Sequence, residues 1–258
     1  MTTKCTLLLV ASALLFASTG QAVMTHRYTF EGNANDTVGS IDGVVSASDA
    51  TISSTGGAPQ GGSYLFLTGT SGYVLLGDGV LGTQFSFSAW VKVNTGASSI
   101  QAIMANANAN AGTDGFKVFV NNWGTSDGAL TLETGTGVTG TGIYASSGTV
   151  EYDVWSQIFV TVDTVSGVGG LYYNGQATDG GTTISQGFHV DGDTYIGQFL
   201  DGNFNMNGGI DDVTIYNTAL SSQEVSDAYI QAVPEPATGA MMAIGGFIGF
   251  LIRRHFRD

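Results

Sequence analysis

The chain has 258 residues, 39 of them glycine, with 21 acidic residues against 7 basic ones and a formal net charge of −14. Leaving out Lys4, Arg253, Arg254 and Arg257 from the bases, and Glu235 and Asp258 from the acids, the stretch 23–232 keeps three bases against 19 acids, a net −16. A surface of that sign cannot neutralise phosphates, so nucleic acid is excluded as a partner, and acidic polysaccharides or anionic membranes are repelled unless cations bridge them.

The first 22 residues have the order of an export signal. Lys4 is followed by an apolar run at 7–16, interrupted only by Ser12, and then by the small residues around Gly20-Gln21-Ala22. Signal peptidase is expected to cut after Ala22. The single cysteine, Cys5, leaves with that segment. The mature chain therefore has no disulfide, and its stability has to come from a packed core.

Residues 23–232 suit one domain. Residues 85–93 (FSFSAWVKV) alternate with period two, which puts Phe85, Phe87, Ala89, Val91 and Val93 on one dry face of a strand. Residues 155–162 and 170–173 read as neighbouring strands, with Asn174-Gly175 as a tight turn because both residues tolerate positive φ. Two further strands are expected at 194–199 and 209–216. Ser221 and Glu224 have the spacing of a capping box, and Val225, Ala228 and Tyr229 then share one helical face. Residues 97–113, with NANANAG inside them, read as a flexible inserted loop, and 134–148 carry no pattern. Many short strands and one late helix predict an all-β, two-sheet antiparallel sandwich.

The blocks FSFSAWVKV, WSQIFVTVDTVSGVGGLYYNGQ, DTYIGQF and GGIDDVTIYNTALSSQEVSDAY resemble, in that order, a laminin-G-like domain. The opening HRYTFEGNANDTVGSIDGVVS fits the same pattern. That resemblance implies a concanavalin A-like lectin/glucanase jelly roll over about residues 26–229. It also implies a structural Ca²⁺ at the rim, with Asp36 in the first turn and Asp211 at the start of the closing strand as ligands. Asp191 and Asp193 are a second candidate pair, although aspartates in turns commonly serve only the turn.

Hydrolysis of a glycoside needs two carboxylates flanking the bond. Glu31, Glu133, Glu151 and Glu224 are scattered, while Asp211 and Asp212, as strand neighbours, should face opposite sides. His26 and His189 are the only histidines of the domain, and no nucleophile motif accompanies them. The expected role is non-catalytic, with an atypical glycoside hydrolase as the alternative. For sugar stacking, Trp123, Tyr144 and Tyr152 lie in polar contexts, whereas Trp90 and Trp155 sit in strand patterns and read as core.

The end of the chain is a second address. Val233-Pro234-Glu235-Pro236 precedes an uncharged segment, 237–252, and then Arg253, Arg254 and Arg257. This order resembles the PEP-CTERM sorting signal, which implies hydrophobic targeting helices at both ends of the precursor and an exosortase as partner. The segment can enter a bilayer but is short for a permanent span, and the arginines behind it stay on the cytoplasmic side. The implied path is export through the inner membrane, transient anchoring through 237–252, and a final place at the cell surface or in extracellular polysaccharide. The expected boundaries are 1–22 for the signal peptide, 23–232 for the domain and 233–258 for the sorting signal.

In a host with an exosortase, the surface-extracted protein should lack Arg253, Arg254 and Arg257, as read by intact mass. Replacing Pro234, Glu235 and Pro236 by alanine should trap a longer, membrane-bound form. A C-terminus at Asp258 in the surface fraction would overturn the sorting role.

Overall fold

A computed structural model describes residues 22–233, apart from 47, 59–61, 98 and 111. The signal segment before Ala22 and the tail from Pro234 onward, with both targeting helices, lie outside the described residues. In chain order the strands begin with β1 (Met24–Tyr28), β2 (Val44–Val45), β3 (Ala50–Ser53), β4 (Tyr64–Thr68) and β5 (Val74–Gly77). Next come β6 (Gln84–Val93), β7 (Gln101–Ala105), β8 (Gly115–Val120), β9 (Leu130–Gly135) and β10 (Gly140–Tyr144). The last are β11 (Ser156–Asp163), β12 (Val168–Tyr173), β13 (Gln176–Ala177), β14 (Thr194–Ile196) and β15 (Asn207–Tyr216), followed by the helix α1 (Ser222–Ala232).

These strands make two antiparallel sheets. The first runs β13-β12-β11-β6-β15-β4-β3, with β1 also paired to β15, and the second runs β10-β9-β8-β7-β14-β5-β2. Alternation decides which side chains meet between them. Phe85, Phe87, Val91, Ile158, Val160 and Val162 come from the first sheet, and Phe116, Val118, Leu130, Leu132 and Ile143 from the second. The Phe85 and Phe116 rings meet across the gap at 5.5 Å between centroids. Each such ring contributes about 1.5–3 kcal/mol by leaving water, which is how a chain without disulfides holds together.

The turn Asn174-Gly175 has both φ angles positive, 49° and 75°, and joins β12 to β13. The capping box at Ser221 and Glu224 is complete, and a cap of this kind contributes about 1 kcal/mol. Helix α1 does not touch the inter-sheet core. It lies on the outer face of the first sheet, where Val225 and Leu220 pack with Phe159 and Tyr172. Trp90 is buried there too, its ring 6.2 Å from Tyr229, so it belongs under the helix rather than in the core. Trp155 is only partly buried, folded over Gly209 with its Nε1 donating to the Gly56 carbonyl at 2.9 Å.

Two stretches for which the sequence predicts no strand are structured. Residues 97–113 hold β7, an interior strand of the second sheet buried over its whole length, rather than a flexible loop. A register shift between Ala102 and Met104 turns both Ile103 and Met104 into the core. That bulge abolishes the alternation a strand normally advertises. Likewise 134–148 hold the end of β9 and all of β10.

A second bulge governs the closing strand. The pairing of β15 with β6 shifts between Asp211 and Thr214, and Asp212 has φ of 44°. The core-facing residues are therefore Ile210, Val213 and Ile215. Both aspartates are turned away from the core, contrary to the expectation that neighbours on a strand face opposite sides. Asp212 receives the Arg27 guanidinium, Nε to Oδ1 at 2.6 Å and a second bond at 3.1 Å. Asp211 is buried and accepts the amides of Ala58 and Asp212, each at 2.8 Å.

Asp36 organises the loop that follows β1 and bridges back to Tyr28. Its Oδ1 accepts the amides of Arg27, Val38 and Gly39, while its Oδ2 accepts the His26 Nδ1 at 2.6 Å and the Ile41 amide. Burial would raise this carboxyl, but the bonds from His26, Gly39, Arg27 and Val38 prevail and hold it at about 2. Asp211 goes the other way. Burial pushes it up to about 7, against the bonds from Ala58 and Asp212, and the charges of Asp212 and Glu31 add to the rise.

An unfolded Asp211 titrates near 3.8. Folding thus favours its protonated form, so this group costs stability progressively as pH rises from about 4 to about 7 and no further above that. Asp211→Asn should flatten that part of the stability–pH curve. Asp36→Ala removes the acceptor of the exposed Val38 and Gly39 amides and of the half-buried Arg27 and Ile41 amides, so it should lower the melting temperature, and the drop should be equal in millimolar Ca²⁺ and in EDTA. A calcium-dependent rise in the wild type that Asp36→Ala removes would show that these N–H donors had been misread.

Candidate outer-face site on the second sheet

The outward positions of β8, β9 and β10 carry Lys117, Phe119, Thr131, Glu133, Gly142 and Tyr144, while the residues between them point into the core. Lys117 and Glu133 stand directly opposite each other in the register, and Gly142 is opposite Glu133 on the other side. Without a side chain at Gly142 the Tyr144 ring lies close over that strand, since a Cβ there would meet the ring at 3.1 Å. The strands thus gather one acid, one base and an aromatic on a flat patch.

Glu133 is the hub of that patch. Its Oε2 pairs with the Lys117 Nζ at 3.0 Å, and its Oε1 accepts the Trp123 Nε1 at 2.5 Å and the Tyr144 hydroxyl at 3.2 Å. Burial, with the Glu133 charge and hydrogen bond behind it, pushes the Tyr144 phenol up to about 12, so it stays a donor. Lys117 is only 3 % exposed and also donates to the Asn110 carbonyl at 3.3 Å. Its ammonium lies 5.4 Å from the Trp123 ring centre and 5.8 Å from that of Phe199. The base is therefore spent inside the patch, in contact with π-faces that favour it.

Trp123 and Tyr144 remain 41 % and 46 % exposed. Trp123 is held on its edge by Phe119, Phe199 and Phe204, at 6.0, 6.4 and 5.2 Å between ring centres. Beside Tyr144 and the Lys117–Glu133 pair is a hollow of about 120 Å³, rimmed also by Thr113 and Thr141. Two fixed aromatic surfaces beside hydroxyls and a carboxylate can bind a polyhydroxylated molecule through stacking and hydrogen bonds.

The structure brings Trp123 and Tyr144 together but not Tyr152. That ring packs against the inter-sheet core, and its hydroxyl donates to Asn121 Oδ1 at 2.5 Å. Lys117 and Glu133 were missed from the sequence. The readable signal was the match of Phe-Lys-Val-Phe-Val with Leu-Thr-Leu-Glu, two alternating runs that place the opposite charges outward and in register.

The sequence-derived metal residues lie elsewhere. Asp36 and Asp211 have no hydrogen-bond partner in common, and the groups bonded to the Asp36 oxygens are N–H donors. The structure gives these two residues separate sets of hydrogen-bond partners. Asp191 and Asp193 are exposed on the loop before β14. Among the described residues, no cluster of three or more His, Cys, Asp or Glu side chains could hold a metal ion, and no helix is long and apolar enough to cross a membrane.

Comparison with known proteins agrees with this architecture. No curated protein matches the chain. Among solved structures, domain 4 of AbnA, a GH43 extracellular arabinanase from Geobacillus stearothermophilus solved in complex with arabinotriose, is similar at TM-score 0.59 and 22% identity. That match covers 80% of this chain and 98% of the other. The receptor binding domain of botulinum neurotoxin D matches at TM-score 0.58 and 16% identity, over 81% of this chain and 52% of its own. Trypanosoma rangeli sialidase matches at 0.57 and 15%, over 80% and 32%. At these identities the likeness is one of fold.

Residues 232–254 match the PEP-CTERM protein-sorting motif. Together with the sandwich this marks an exported protein, anchored in the membrane before an exosortase processes it. Residues 68–226 match the family model of the concanavalin A-like lectin/glucanases. A match over that much of the chain, on two antiparallel sheets with one late helix, makes this protein a member of the concanavalin A-like lectin/glucanases superfamily.

Proposed function

We infer that the protein is a non-catalytic glycan-binding component of the cell surface or the extracellular polysaccharide matrix, and that it binds through the Trp123–Tyr144 face. The observation that carries this reading is that two exposed aromatic rings are fixed by one carboxylate, Glu133. Fixing a ring before the ligand arrives removes part of the ordering cost of binding.

The same carboxylate argues against hydrolysis. A glycosidase needs a second acid across the bond. The groups bonded to Glu133 are Lys117, Trp123 and Tyr144, a set that includes no second acid and occupies both carboxylate oxygens. The net charge of the domain favours neutral glycans over acidic ones, since Lys117 is already paired.

The mature protein is expected to bind neutral oligosaccharides on a glycan array and to release no reducing sugar from them. Trp123→Ala and Glu133→Gln should each weaken binding at least tenfold, about 1.4 kcal/mol. Tyr144→Phe, which keeps the ring and frees Glu133 Oε1 from one donor, should have a smaller effect. Absence of any neutral glycan among the ligands, or sugar release abolished by Glu133→Gln, would overturn the reading.

A further inference from the structure

One end of the sandwich holds a cavity of about 260 Å³ that the Trp123 face does not include. It lies between the loop after β4, the loop joining β6 to β7 and the segment leading into β15. Its polar lining is Thr68, Ser99, Gln101, Asn205 and Asn207, its aromatic wall is Phe204, and among the described residues no charged one lines it.

The polar groups are held by one another. Gln101 Oε1 accepts the Asn207 amide at 2.7 Å, and Asn207 Oδ1 accepts Asn94 Nδ2 at 2.9 Å. Asn205 Nδ2 donates to the Gly202 carbonyl at 3.0 Å, while Asn205 Oδ1 is buried and accepts no hydrogen bond. Leaving such an acceptor unmet is costly, and a ligand hydroxyl donating to it would recover that cost. Ser99 and Phe204, both lining the cavity, have positive φ of 73° and 57°. Such backbone is strained and persists only where the surroundings enforce it.

Phe204 joins this cavity to the face described above. Its ring meets Trp123 edge-on at 5.2 Å while also forming the cavity wall. Resting on the reading of the Trp123 face as a glycan site, the geometry points to the cavity as a second sugar subsite for the same glycan chain. A neutral unit hydrogen-bonds Asn205 Oδ1 and the neighbouring amides here, while another unit of the chain stacks at Trp123 and Tyr144. The ligand is then a neutral oligosaccharide of several units. A uronic acid carboxylate would meet no cation in the cavity.

The test is calorimetry of the mature protein with a length series, one to six units, of each neutral oligosaccharide bound on the array. Wild-type affinity should rise with length. Asn205→Ala should weaken the longer members at least tenfold and leave the shortest binders unchanged, with the melting temperature retained. Thr68→Val enters the cavity from a different loop and should reproduce that length dependence, which guards against a folding defect at Asn205. Loss at every length in Trp123→Ala, with no change at any length in Asn205→Ala and Thr68→Val, would overturn the second subsite and leave the first site standing. Equal weakening at all lengths in the cavity variants would also overturn it. A wild-type protein that binds no neutral glycan would remove both readings.

Discussion

Most of the sandwich depends on the way β15 is shared. One long strand pairs with β6 along one edge, and along the other with β4 over its first half and β1 over its second. The first strand of the domain and the last are thereby locked side by side, so the sheet cannot be completed until the whole chain has been made. Contacts of such large sequence separation carry a high closure entropy, which makes this topology slow to fold. The bulge at Asp211 and Asp212 is what allows both halves to pair, because it re-aims the second half while keeping Val213 and Ile215 in the core. The Arg27–Asp212 ion pair fastens β1 across that kink. Asp211 pays for the arrangement with a buried carboxyl.

Much of the fold was legible in the chain. Period-two alternation at 85–93 and in β11 is undiluted because those strands have no bulge in the part that faces the core. The Asn174-Gly175 turn and the Ser221–Glu224 cap were readable because each requires a specific residue type at a specific backbone geometry. In β7 the signal vanished for a physical reason. The bulge puts adjacent Ile103 and Met104 on one side, and Ala102 and Ala105 pack against Phe199 on the other. A strand covered on both faces has no polar side to alternate with. β10 was invisible because glycine serves close strand approach there, and glycine also marks turns.

The Trp123–Tyr144 face was only half legible. Exposed aromatics in polar surroundings pointed to Trp123 and Tyr144, but Glu133 was only one of four scattered glutamates and nothing singled out Lys117. Their meaning comes from register alone, since a shift of one residue between β8 and β9 would have sent one of them to the core. With three basic residues in a domain of this acidity, a base buried beside aromatic rings is costly unless its charge is met. Glu133 meets that charge, and the same carboxylate orients the two rings. The two roles cannot be separated by looking at either residue type alone.

Helix α1 has a consequence for orientation. It packs on the outer face of the first sheet, and the chain leaves its last turn at Val233, next in sequence to the sorting motif. The start of the domain is there as well, with the Val23 amide bonded to Asn217 just ahead of the helix. The aromatic patch lies on the outer face of the other sheet, with the full thickness of the core between them. A domain tethered through its C-terminus would therefore stand with its back to the anchor and turn its rings toward the surrounding medium. No hinge or rearrangement is needed for a tethered copy to meet a polymer in that medium.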